Sequence, residues 1–251
     1  AGAVLKRKYP KSPVIFSEKE GLGEFAQTLD SDIWVAGMTG TDSLPLVVRA
    51  LENGHRVALA NKEILVAAGN LVMRAPVVGN NFATTRTLVN AYQMILPGEK
   101  ARSHRHSSHA LRVILEAKGA FSTVDGEKTL MESGDVVLTP GWSWHGHGHD
   151  GDEPAYWLDG LDVPLTQLLE PMFFEEHPDG FQEVDVLTAD SPMRFTWSSI
   201  QSRTEKATKD PEGYFGQRVR LEAPTMPTIG IFVERLQAGQ KTRRYRAAAN
   251  A

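Results

Sequence analysis

Two histidines separated by one residue, His104 and His106, are the first feature of this chain able to do chemistry. Alternate side chains of a strand share a face, so a strand here would point both imidazoles the same way. They stand at a fixed interval from Gly98: a glycine, five residues, then His-x-His. A second element runs Gly134, five residues, Pro140 and then His145, on what reads as a strand returning across the sheet. Three imidazoles gathered inside a barrel, with coordination positions left open, would form a facial metal site. An isolated His-x-His carries little weight, because chance pairs on solvated faces are common; the two spacings together are specific. Cysteine is absent, so disulfides and thiolate chemistry are excluded and any metal must be held by His, Asp or Glu. Imidazole suits Fe, Zn, Cu and Ni alike, so these residues alone do not choose the ion.

The elements around them read as a strand-rich domain. Thr84 to Leu96, Leu111 to Leu115, Phe121 to Val124, Lys128 to Leu130 and Val136 to Thr139 are short apolar runs punctuated by turns. Asp125-Gly126 is a two-residue hairpin signal, and Ser133-Gly134-Asp135 marks another turn. Such spacing predicts an antiparallel sandwich or small barrel. Pro164 to Phe174 reads as a short helix, residues 175–227 as a polar connector wrapping the barrel, and Ile229 to Leu236 as one more strand.

The first seventy-odd residues have another texture. Val14 to Phe16, Ile33 to Ala36 and Arg56 to Ala60 read as strands. Leu22 to Leu29, Leu44 to Leu51 and Ile64 to Met73 read as helices between and after them. This β-α-β-α order predicts a parallel sheet with crossover helices. The fold class expected is therefore mainly β, a barrel preceded by a small α/β segment, with segments 1–74, 75–175 and 176–251.

Composition sets the outer bounds. The 251 residues carry a formal net charge of -4, and the pI is near 6.1, which argues against a nucleic-acid partner. Apolar runs fall well short of the ~18 residues of a membrane span. No signal-peptide core follows Ala1, so a cytoplasmic protein with no membrane partner is the expectation.

There is also an internal repeat. Leu96-Pro97-Gly98-Glu99 leads to His104 and His106; Leu236-Gln237-Ala238-Gly239-Gln240 leads, at the same interval from its glycine, to Tyr245 and Ala247. The sequence then ends at Ala251, one strand into what would be a second barrel.

The pattern resembles the cupin family, whose first motif matches Gly98 through His106 and whose second matches Gly134 through His145. The cupin glutamate ligand would fall near Ala110 or Leu111, and neither can coordinate. The implied ligand set is three neutral histidines and no carboxylate. It leaves the ion its full charge and up to three open positions, suited to a dianionic chelating substrate together with dioxygen.

Residues 82–182 further resemble the first barrel of gentisate 1,2-dioxygenases and their salicylate-cleaving relatives, in Leu96–Glu99, His104–Arg112, Val124–Thr129, Gly134–His147 and Trp157–Leu165. The resemblance implies a double cupin barrel, a homo-oligomer, and Fe(II) held by His104, His106 and His145. A metal-free second barrel agrees with Tyr245 and Ala247. It also implies an oxidoreductase of aromatic catabolism that opens the ring of a small aromatic carboxylate with dioxygen, between its carboxyl- and hydroxyl-bearing carbons. By position, His147 would face the substrate as a hydrogen-bonding or proton-transfer group, Arg112 would pair with its carboxylate, and Gln93 and Asp159 would belong to the pocket. The metal would act as template and electron conduit.

Plainer readings stand beside these. Arg112 would be a surface residue on an edge strand, and Asp159 a cap on the turn at Gly160. His109 and His149 would be solvated loop residues, and His147-Gly148-His149 an adventitious metal-binding tract. Trp142, Trp144 and Trp157 would be core or pocket-wall residues. The alternative function is a cupin module that binds metal or ligand without turnover.

Ser17 to Met73 resembles a different family, 1-deoxy-D-xylulose 5-phosphate reductoisomerase, in Glu20–Leu22, Asp32–Gly40, Leu44-Pro45 and above all Leu59–Val66 with Gly69. The resemblance implies the latter part of an NADPH-binding domain. No Gly-rich phosphate loop precedes residue 32, and the acidic metal motif expected after Met73 is missing, which argues against reductoisomerase activity. The junction near Arg74 reads as a fusion, a mis-assembled frame or a chimera.

Overall fold

The computed structural model describes residues 33–36, 47, 49–50, 56–59, 70–73, 80, 82–184, 186–188 and 190–245. The chain divides into two compact units, residues 1–68 and 69–251. In the first, strands β1 (Ile33–Ala36) and β2 (Arg56–Leu59) pair in parallel, Ile33 opposite Arg56. Val47, Arg49 and Ala50 are helical. This agrees with the expected parallel sheet. The expected strand at 14–16 and helix at 22–29 lie outside the described residues.

The second unit is mainly β. Its strands are β3 (Asn70–Met73), β4 (Val89–Ile95), β5 (Lys100–His106), β6 (Ala110–Glu116), β7 (Ala120–Val124), β8 (Glu127–Met131), β9 (Val136–Thr139), β10 (His145–His149) and β11 (Ala155–Leu161). Helix α1 (Val163–Leu168) follows, then β12 (Phe174–Glu176), β13 (Val186–Leu187) and β14 (Arg194–Phe195). Helix α2 (Trp197–Lys206), β15 (Gln217–Leu221) and β16 (Ile231–Arg235) complete the order. One six-stranded sheet runs β12-β5-β10-β7-β8-β13, the other β14-β9-β6-β11-β4-β3.

Several expectations are corrected. Residues 70–73, read as the end of a helix, form β3 and pair antiparallel with β4; Asn-Leu-Val-Met carries no signal separating a short strand from a helical turn. The helix read over 164–174 ends at Leu168, and Phe174 begins a strand on β5. The connector over 175–227 contains a ten-residue helix, the end of β12 and three further strands, β13 to β15. Helix α2 is capped by Thr196, whose side chain accepts from the Ser199 amide, and it buries Ile200. The hairpin signal holds: Asp125 and Gly126 both take positive φ, 47° and 85°, as a tight turn between β7 and β8 requires.

Strand alternation explains how the barrel is filled. On β6 the inward residues are Ala110, Arg112 and Ile114; on β11 they include Trp157 and Asp159. Ile95, Ile114, Ala120, Met131, Val137, Ala155 and Trp157 form one apolar cluster. Each of the larger aliphatic side chains, Ile95, Ile114, Met131 and Val137, contributes on the order of 1.5–3 kcal/mol by burial. Strand β9 is buried on both faces, because Val136 and Leu138 join Ile200, Leu221, Met226, Ile229 and Ile231 in a second cluster.

The internal repeat survives as backbone geometry. Gly98 and Gly239 have φ of 78° and 77°. In the first copy the Glu99 amide donates to the Leu96 carbonyl at 3.0 Å, and the Glu99 carboxylate accepts from the Leu96 amide at 2.7 Å. In the second, Gln240 makes the same two bonds with Gln237, at 2.9 and 3.0 Å. Ala247 lies outside the described residues.

Candidate metal centre

Strands β5 and β10 pair antiparallel with His145 opposite His104. That register, with His106 two residues along the same face, gathers the three rings. Their centroids are 4.4 Å apart for His104 and His145, 4.7 Å for His106 and His145, and 5.6 Å for His104 and His106. One nitrogen of each lies within 4.8 Å of the other two. The register shifts by one residue between His145 and His147, so His147 pairs with Ala101. A bulge of this kind re-aims side chains beside a site.

Each ring has a backbone carbonyl at its Nδ1: Arg102 for His104 at 3.2 Å, Ser108 for His106 at 2.8 Å and Ser143 for His145 at 3.0 Å. An Nδ1–H donating to a carbonyl fixes the tautomer and leaves Nε2 with its lone pair free. Burial, first among the causes, lowers all three pKa values: His106 to about 4 and His145 to about 2, with His104 also lowered. The positive charge of Arg112 adds to the effect in each case. Three neutral imidazoles in this tautomer fit a divalent ion held through Nε2. Phe174 stacks on His104 at 5.2 Å.

Arg112 is 3% exposed on β6, an interior strand between β9 and β11, which corrects the surface reading. It lies opposite Asp159 on β11, and its Nε sits 3.3 Å from the carboxylate. Its Nη1 donates to the Thr139 hydroxyl at 2.5 Å. Asp159 also accepts from Trp157 Nε1 at 3.1 Å and from Gln93, so it caps no turn. Burial raises its pKa, against the pull of Arg112. His147 packs 5.3 Å from Trp157, its Nδ1 buried without a partner, and burial holds it well below the usual range. Gln93, His147 and Trp157, with Met94, Glu99 and Lys100, line a cavity of about 320 Å³.

His149, read as a solvated loop residue, is buried on β10, its Nε2 2.5 Å from the Glu153 carbonyl. His109 is half-buried, and its Nδ1 accepts from the Gly141 amide at 2.8 Å. The tract reading of His147 and His149 therefore has no support among their contacts. Trp157 is buried as expected, whereas Trp142 is 44% exposed. Sequence reasoning missed Thr139 and the three carbonyls. Thr139 is signalled by a hydroxyl placed inward on an otherwise apolar strand; a carbonyl leaves no sequence signal.

The cupin domain family matches residues 91–162, the span holding all three histidines. Residues 91–162 are a cupin domain. The cupin unit is homologous to ring-cleaving dioxygenases. Gentisate 1,2 dioxygenase 1 of Aquipseudomonas alcaligenes is 32% identical over 74% of this chain and 65% of its own length. A gentisate 1,2-dioxygenase of Ralstonia is 54% identical over 37% of this chain and 26% of its own. The crystal structure of salicylate 1,2-dioxygenase from Pseudoaminobacter salicylatoxidans with gentisate superimposes with a TM-score of 0.54 at 30% identity. That match covers 62% of this chain and 51% of the other. The chain thus spans about a quarter to two thirds of the length of these relatives. Outside the cupin, residues 3–69 match 1-deoxy-D-xylulose 5-phosphate reductoisomerase. Among the described residues no helix is long and apolar enough to cross a membrane.

Proposed function

We propose that the cupin unit is an Fe(II)-dependent dioxygenase that opens the ring of gentisate or a related 2-hydroxybenzoate between its carboxyl- and hydroxyl-bearing carbons. The observation that carries this reading is the convergence of three neutral histidines beside a buried Arg112–Asp159 pair. Relatives named for gentisate and salicylate cleavage support it. His104, His106 and His145 would hold the ion, which when bound supplies the redox chemistry that joins dioxygen to the ring.

The chain's own residues set the rest. Arg112 supplies positive potential toward a substrate carboxylate, and Asp159 holds that guanidinium in place. His147 offers a buried, unengaged ring nitrogen at the cavity wall, able to bind or move a substrate proton. Gln93 holds Asp159 and lines the same cavity. The cavity of about 320 Å³ lies on the His147 side of the site, with Gln93 and Trp157, and its lining includes neither the three histidines nor Arg112. Trp157 gives it an aromatic wall.

The test is dioxygen uptake after anaerobic loading with Fe(II), with gentisate as substrate, product absorbance followed and metal content measured on the same sample. Uptake with ring-opened product supports the proposal. Iron bound at one per chain without uptake favours a non-catalytic cupin instead, the reading encouraged by the reductoisomerase-like residues 3–69. Failure to retain any metal overturns both.

A further inference from the structure

We propose that Arg105 is a positioning residue that locks the His145 loop onto β5 and so sets the affinity of the metal centre. The inference rests on the metal reading given above.

Arg105 lies between His104 and His106 in sequence, so strand alternation puts its side chain on the opposite face of β5. There its guanidinium stands 4.4 Å from the ring of Trp142 and 4.4 Å from that of Trp144. Those two tryptophans flank Ser143, whose carbonyl holds the Nδ1 of His145. The same guanidinium meets Glu175 through Nε at 2.8 Å and Nη2 at 2.6 Å. Glu175 is the register partner of Arg105 on β12, next to the Phe174 that stacks on His104. One planar cation therefore joins three segments that touch the triad: β5, the loop over 140–144, and β12.

The loop needs such a fastening. Trp142 has a φ of 68°, a left-handed conformation that a bulky residue keeps only when its surroundings impose it. Its amide donates to the His106 carbonyl at 2.7 Å, which ties the loop to a ligand-bearing residue. Trp144 is fixed on its other side by Asp125, through Trp144 N to Asp125 Oδ1 at 2.8 Å and Asp125 N to Trp144 O at 2.8 Å. Arg105 is what sits between the two rings. A lysine at this place would keep the charge and lose both the planar stacking and the paired bonds to Glu175.

The experiment uses the full chain, Arg105→Ala and Arg105→Lys, with Co(II) as the probe ion. Affinity is read by competition with a chromophoric chelator, ligand geometry by the visible Co(II) spectrum, and folding by near-ultraviolet circular dichroism. Outer groups that orient metal ligands typically govern affinity by 10–100-fold, so Arg105→Ala should bind Co(II) at least ~10-fold more weakly, with an altered spectrum. Arg105→Lys should recover part of the affinity, and it supplies the readout should the alanine variant not fold. A stabilising surface contact alone would lower the melting temperature and leave affinity and spectrum unchanged; that result, in either folded variant, overturns the proposal. Absence of Co(II) binding by the unsubstituted chain would instead overturn the metal reading itself, and this inference with it.

Discussion

Replacing Asp159 by Asn removes one charge from the barrel interior and changes little else. The amide keeps the volume and retains an oxygen for Trp157 Nε1. What is lost is the partner of Arg112, 3.3 Å away, with side-chain exposures of 3% and 9%. At an effective dielectric constant of about 20, two unit charges at that distance attract by about 5 kcal/mol. Removing one member of a buried pair typically costs ~3–5 kcal/mol, because the other charge stays buried. Arg112 would keep its bond to Thr139, so the lower end, about 3 kcal/mol, is expected. For a unit of this size that is a fall of roughly 6–12 °C in melting temperature. The assay is chemical denaturation of the metal-free chain beside the unsubstituted one. A loss below ~1 kcal/mol would refute the view that this pair is desolvated and electrostatically coupled. The uncompensated guanidinium should also weaken binding of a divalent cation by the triad, since like charges repel.

Alanine at His104, His106 or His145 should each abolish iron retention; a variant with full metal occupancy would show that its histidine is not a ligand. Arg112→Gln combined with Asp159→Asn removes both charges together, and should raise the KM of carboxylate-bearing substrates while sparing bound iron. An unchanged KM would limit Arg112 to a structural role. Stability of the metal-free chain should fall as pH drops below 6.5. His106 and His145 have folded-state pKa values of about 4 and about 2, so the unfolded chain takes up protons that the folded one refuses. Each group costs about 1.4 kcal/mol per pH unit, from 6.5 down to its folded value. Denaturation midpoints at pH 7, 6 and 5 check this, and a flat profile would contradict it. Gly134→Ala should lower the melting temperature, because Gly134 has a φ of 90° and an added Cβ would lie 2.6 Å from the Trp197 ring. An unchanged transition would mean that Trp197 yields without cost.

The convergence of the three histidines was legible because it depends on spacing along strands: Gly98 to His104 and Gly134 to His145 survive any error in strand ends. The Asp125-Gly126 turn was legible for a similar reason, since few residues accept two positive φ values. Arg112 was ambiguous in sequence. Whether a strand is central or at an edge depends on long-range pairing, here with β9 and β11, which local pattern does not encode. His149 misled for a related reason: its partner is the carbonyl of Glu153, a group every residue carries. Helix α2 was overlooked in a polar stretch, where its apolar face is narrow and its anchorage comes from distant β9, β15 and β16.

The twin turns at Gly98 and Gly239 separate two inheritances. Glu99 and Gln240 differ in charge yet close the same loop with the same acceptor, so what is retained there is the place of an oxygen and a left-handed glycine. The first copy leads to histidines and the second to Tyr245. The same turn is thus built whether or not histidines follow it. The geometry that starts a segment is therefore independent of the side chains that come after it.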